Sequence, residues 1–173
     1  MTRTMSSMPG RTSSVSSPRR SLPAESMPDR DLSGLNSERG TIKAVPAAGV
    51  EVRYVDRYIY VDGSMTTATV FEMHFAYGDA TPQPIFSLLS GAVIAEVNVW
   101  MLEIFDGVNP AITIGKTGTP DDLMKTSEVD PAFLSSYETR PGKEYNPGET
   151  VNLYITPGAG AAHGRGVISV YII

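Results

Sequence analysis

No cysteine occurs among the 173 residues, which removes disulfide frameworks, thiolate metal sites and cysteine nucleophiles together and leaves the redox compartment open. Histidine is almost absent too, with His74 and His163 alone. Neither has a His or Cys companion at ligand spacing, so no zinc site is expected. The longest apolar run, Ala92 to Phe105, is broken by Glu96, Asn98 and Glu103. That is too short and too charged to cross a bilayer, and no apolar signal-peptide core follows the early arginines; neither membrane residence nor general secretory export is expected. No Gly-x-Ser-x-Gly elbow is present, so the serines carry no nucleophile signature. The glycine stretch from 158 to 166 fits neither phosphate-loop pattern and separates two strand patterns. Without a following helix N-terminus to supply oriented N–H groups, it reads as a long hairpin loop.

Charge divides the chain. Residues 1–40 hold six arginines against four acids, and the remainder holds eight basic residues against fifteen acids. The first part is therefore +2 and the second −7 within a net charge of −5, and the two parts are suited to different partners. Met1 to Ala24 contains Arg3, Arg11, Arg19 and Arg20, with no acid, no lysine and no aromatic residue. Such a segment cannot bury enough surface to offset its ordering entropy alone. Its arginines are too sparse, and too short of stacking partners, to predict nucleic-acid binding. Prolines at 9, 18, 23 and 28 favour extended backbone and lower the entropy lost on docking. The expectation is an extended N-terminal arm over 1–40, disordered when unbound, that straps neighbouring chains through Arg3, Arg11, Arg19, Arg20 and Arg30.

From 41 to 173 the pattern is strands separated by turn chemistry. Asp62-Gly63 between alternating runs predicts a hairpin. Thr81-Pro82-Gln83-Pro84 marks a corner, and Val93 to Met101 alternates with its apolar residues on odd positions. The phase slips near Leu102-Glu103-Ile104, which predicts a bulge or a strand that changes sheets. Val151, Leu153 and Ile155 alternate with polar or amphipathic neighbours, and the β-branched run Val167 to Ile173 predicts a terminal strand buried on at least one face. Only Pro120 to Ser127 reads as a short helical turn, with Asp121 and Asp122 in its first turn. Seven or eight short strands at this spacing predict an all-β fold, a β-sandwich or jelly roll.

Chemistry-bearing residues are few. Asp121, Asp122, Glu128 and Asp130 form the densest acidic cluster, but without EF-hand spacing they read as cap and loop acids rather than a calcium site. His74 is expected on the polar face of its strand and His163 at a loop tip. Trp100 and tyrosines 54, 58, 60, 77, 137, 145, 154 and 171 mostly occupy strand patterns, where they pack a sheet or a subunit interface; a sugar-binding platform is the competing reading. No catalytic, cofactor-binding or metal-ligating residue is assigned.

The stretch Phe105-Asp-Gly-Val-Asn-Pro-Ala-Ile-Thr-Ile-Gly-Lys-Thr-Gly-Thr-Pro-Asp-Asp-Leu-Met124 carries the most specific signal. Asp106-Gly107 suggests a tight hairpin with positive φ, Pro110 leads into the alternating Ala111 to Ile114, and Gly115, Gly118 and Pro120 punctuate the exit. This arrangement resembles the C-terminal β domains of small tailed-bacteriophage virion proteins, as does the ending from Gly158 to Tyr171, a small-residue loop followed by a strand finishing in Tyr. The resemblance spans residues 90 to 173. Lys116-Thr117 and His163-Gly164-Arg165 depart from its usual small residues, and the first hairpin has no counterpart in it. The resemblance implies a structural, non-enzymatic virion component without cofactors, such as a capsid decoration (cement) protein. Its partners would be the major capsid protein or other virion proteins and further copies of itself, in a homo-oligomer such as a trimer. A neck or tail component, and a glycan-binding or glycan-degrading protein, are the alternatives.

Overall fold

In the computed structural model, which describes residues 43–59, 62–89 and 92–173, eleven strands form two antiparallel sheets. They are β1 (Ala44–Pro46), β2 (Glu51–Ile59), β3 (Met65–Ala76), β4 (Gln83–Leu88), β5 (Ala92–Glu103), β6 (Ala111–Lys116), β7 (Thr119–Met124), β8 (Ser136–Thr139), β9 (Lys143–Tyr145), β10 (Thr150–Thr156) and β11 (Arg165–Ile172). One sheet has the order β1-β4-β10-β6-β7. The other runs β2-β3-β11-β5-β8, with β9 continuing the β8 edge along β5. The fold is a β-sandwich, and among the described residues no helix forms.

Alternation explains the layering, because a strand with one apolar side must bury that side against another sheet. Phe71, Met73 and Phe75 of β3 point inward from one sheet, while Phe86, Ile112, Ile114 and Leu153 point inward from the other. Phe71 and Phe86 meet across the gap with ring centroids 4.6 Å apart. Each such side chain contributes roughly 1.5–3 kcal/mol when fully buried. The β-branched terminal strand occupies the centre of its sheet between β3 and β5, with Ile168, Val170 and Ile172 in the core.

The hairpin at Asp62-Gly63 joins β2 to β3, with Gly63 at φ 83°. The phase slip in β5 is a bulge. Arg165 pairs Glu103 and Gly166 pairs Met101, leaving Leu102 as the extra residue. A second irregularity lies opposite Tyr171 and Ile172, which pair Glu96 and Ile94. Because of it Ile94 faces the core together with Val97, Val99 and Met101, so the odd-position alternation expected from Val93 holds only from Val97 onward.

Three expectations are overturned. Pro120 to Ser127 is not a helical turn: β7 runs through Pro120, Asp121 and Asp122 as the edge strand beside β6, an edge being where a strand tolerates a residue with no N–H to donate. Asp106-Gly107 is not a hairpin either. It carries the chain from β5 of one sheet to β6 of the other, and the positive φ nearby belongs to Asn109 at 54°. The glycine loop likewise connects β10 and β11, which lie in different sheets. The expected arm over 1–40, with Arg3, Arg11, Arg19, Arg20 and Arg30, lies outside the described residues.

Candidate functional site

The two stretches that carried the sequence signal fold against each other at one end of the sandwich. Asp106 Oδ1 accepts the backbone N–H groups of Ala162 and His163 at 2.8 and 3.0 Å, and these donors hold its carboxyl below the usual aspartate range. Val108 and Ala159 exchange a pair of backbone hydrogen bonds of 3.0 and 3.3 Å. Two glycines allow this approach. A Cβ on Gly107 would lie 2.3 Å from the Pro157 carbonyl oxygen, and one on Gly164, at φ 135°, would lie 2.6 Å from Cγ of Phe105. Phe105 is buried beneath that loop, and its own N–H reaches the Pro131 carbonyl at 2.9 Å. Residues 105–108, 131 and 157–164 are thus one lock.

Beside the lock, an open groove of about 640 Å³ runs between Gly107 to Pro110 and Thr126 to Pro131. Its acids serve their own loop. Glu128 accepts the Lys125 N–H at 2.7 Å, Asp130 accepts the Ala132 N–H at 3.0 Å, and the Tyr137 hydroxyl donates to the Asp130 carbonyl at 2.6 Å. Asp122 stands apart from them. It receives the Tyr145 hydroxyl at 2.6 Å and pairs with Lys143, tying β7 of one sheet to β9 of the other. Burial opposes its ionisation, but the hydrogen bonds from Lys143 and Tyr145 outweigh that and lower its pKa. Tyr145 is pushed up, by burial and then by Asp122. Lys116 pairs Glu149 at 2.6 Å and sits 5.3 Å from the Tyr145 ring. The acidic cluster of the sequence is therefore divided, with Asp121 exposed on β7; no group of three or more potential metal ligands occurs among the described residues.

His74 is exposed on β3, as its alternation suggested, and exposed His163 has Nδ1 3.8 Å from Glu103. The fold does not bring them to a common centre. On the outer face of the six-stranded sheet, Glu96 is only 7% exposed and accepts the Tyr58 hydroxyl at 3.0 Å and the Asn98 amide at 2.6 Å, with Arg140 at 3.3 Å. Tyr58 packs against Tyr171 with tilted rings 5.5 Å apart, and burial followed by the Glu96 hydrogen bond raises its pKa. The tyrosines are thus spread between sheet packing and rim, and Tyr60 lies outside the described residues. Sequence reasoning missed both the Asp122 and the Glu96 networks, since Tyr145 and Tyr58 lie 23 and 38 residues from the carboxylates they reach.

Two solved phage capsid structures contain chains similar to this one. The first is the acidic stable capsid structure of Helicobacter pylori bacteriophage KHP30, at 14% identity and TM-score 0.45, covering 71% of this chain and 94% of that one. The second is the capsid asymmetric unit of cyanophage Pam1, at 16% identity and TM-score 0.43, covering 79% of this chain and 95% of that one. No protein-family model and no curated protein matches the chain.

Proposed function

We propose that this chain is a structural component of a phage virion, a decoration (cement) protein seated on the capsid surface. Its sandwich supplies a rigid body, and the segment 1–40 straps neighbouring shell subunits. The observation that carries the reading is the lock at 105–108 and 157–164. The residues that resemble phage virion domains are the ones spent on building the end of the sandwich, and they leave binding to the arm and to the outer surface. The best-anchored acids likewise serve as clamps: Asp122 ties the sheets and Asp106 ties the loop.

Cement function suits many weak contacts repeated by symmetry. An arm that engages a second subunit raises the effective concentration of the first contact, so modest affinities combine into firm retention. The same economy favours a homo-oligomer, in which each copy offers one arm. The arm's net charge of +2 against the body's −7 keeps the two parts suited to different surfaces.

The test is occupancy on purified particles. Deleting residues 1–40 is expected to leave circular dichroism of the sandwich unchanged and to abolish retention on the shell; undiminished occupancy sinks the strap. A copy number of about a dozen, as in a ring with cyclic symmetry, would favour a neck or tail component. Specific binding on a glycan array would favour the carbohydrate reading.

A further inference from the structure

The β2–β3 hairpin reaches further than the sheet it packs on. Phe71 meets Phe86 across the sandwich at 4.6 Å, and Met73 lines one cavity together with Gln83 and Pro84. β3 and β4 therefore lie face to face and run in opposite directions, which puts Thr69 over Leu88, the last residue of β4. β3 and its partner β2 extend beyond that level, to Met65 and Ile59. The length of β3 from Thr69 back to Met65 is an overhang of roughly 13 Å. The two-residue period places Met65, Thr67 and Thr69 on the side of Phe71, with Ile59 and Tyr54 as neighbours across the pair. Burial fails along that side as the opposite sheet runs out: Phe71 is buried, Thr69 half-buried, Thr67 exposed and Met65 71% exposed, with Ile59 at 61%. The other face of the overhang is covered, since Tyr58 and Ala68 pack with Ala95 there. The open face is thus the one that continues the core.

We propose that residues 35–42 of the same chain cover this overhang. The place where the chain enters the sandwich points there. The Lys43 carbonyl accepts the Leu89 N–H at 2.8 Å and Ala44 pairs Leu88, so β1 begins at the level where β4 stops. From there β1 runs towards Phe86, and the residues before Lys43 arrive from the opposite direction, through the space under the overhang. Ala44 points into the core. In an extended chain Ile42 takes the same side, towards Thr67. Leu35 supplies a second apolar side chain, with polar residues, Gly40 and Arg39 between the two. Fully extended, residues 35–42 span roughly 26 Å, so Leu35 can reach Met65 and Ile59. A segment joined to the site by its own backbone meets it at an effective concentration in the millimolar range, which a second copy would have to exceed.

Docking of this segment moves the boundary between arm and body. The reach of the strap then starts near residue 34, under the hairpin tip, and not at Lys43. That consequence rests on the strap of the proposed function, whereas the docking does not. Its test needs no virion, so a failure here is separate from a failure of the capsid reading.

The experiment is hydrogen exchange of the full chain, read by mass spectrometry. Amides of residues 35–42 are expected to exchange about tenfold or more slowly than in an isolated peptide of the same sequence. Met65→Glu and Ile59→Glu should each return them to the peptide rate, while Leu134→Glu, at an exposed leucine outside the hairpin, leaves the protection unchanged. Because the chain has no cysteine, a second readout comes without background. With Leu35→Cys and Met65→Cys together, a short bismaleimide should join the two positions within one chain; Leu35→Cys with Leu134→Cys should stay unjoined. If a glutamate unfolds the hairpin by circular dichroism, the exchange of the unaltered chain and the cross-link decide between them. Exchange of 35–42 at the peptide rate in the unaltered chain, or protection that survives both glutamates, would overturn the proposal. So would protection lost on dilution, or cross-links between chains, which would give the overhang to a second copy.

Discussion

Phe105 and Leu102 stand three residues apart at the end of one strand and meet opposite surroundings. Phe105 turns inward, 2% exposed, under Gly164 and tied through its backbone to Pro131; Leu102 bulges outward and keeps half its surface in solvent. The inside of this end is finished, with hydrogen bonds and close glycine contacts on every side. The outside is not. A buried aromatic under a locked loop speaks to stability, whereas large apolar side chains left together on a sheet face speak to association. The contrast separates the residues that make this protein a sandwich from those available to bind.

Gly164→Val tests the inward side with the largest expected effect. It puts a branched side chain into the Phe105 ring at φ 135°, combining overpacking with left-handed strain, at a cost of about 3–5 kcal/mol. Thermal denaturation should show a Tm lower by roughly 10–20 °C, or no folded protein. A change of only a few degrees would mean that the loop is not packed as described.

Asp122→Ala comes next. It leaves the buried Tyr145 hydroxyl and Lys143 without their shared acceptor, a loss of about 1–3 kcal/mol at neutral pH by urea denaturation. Its pH dependence has a definite sign. The folded-state pKa of Asp122 is lowered, so the stabilisation from its ionised form is complete above the unfolded value of about 3.9 and disappears as pH falls through the lowered folded value. Wild type and variant should differ most at neutral pH and converge in strong acid. A gap that stays constant with pH would show that packing, not the carboxylate, carries the effect.

Asp106→Asn should matter less, since an amide oxygen can still accept the N–H groups of Ala162 and His163 and the site is open to solvent. A Tm shift below that of Asp122→Ala is expected. Leu102→Asp closes the series. Replacing an exposed side chain should change stability by no more than about 0.5 kcal/mol by urea denaturation. If it unfolds the chain instead, Leu102 belongs to the finished inside and the contrast collapses.

Much of the sandwich was legible because its signals are local. The Asp62-Gly63 hairpin, the alternation of Val151, Leu153 and Ile155, the β-branched terminal strand and the bulge at Leu102 all follow from neighbouring residues and the two-residue period of a strand. The misreadings share one cause, a local signal whose purpose is long-range. Gly107 suggested a turn with positive φ, but it is required because the Pro157 carbonyl passes where a Cβ would sit. Asp122 suggested a helix start because its true partners, Lys143 and Tyr145, come from a strand of the other sheet. Leu102 and Leu134 are ordinary residues in sequence and become a surface only when β8 is laid beside β5.

The most direct test of the account is the number of copies of this chain in purified particles, measured by quantitative mass spectrometry against the major shell protein. A cement protein with one site per repeated shell contact is predicted at hundreds of copies. Absence from the particle, or a copy number of about a dozen set by a single ring, would contradict it.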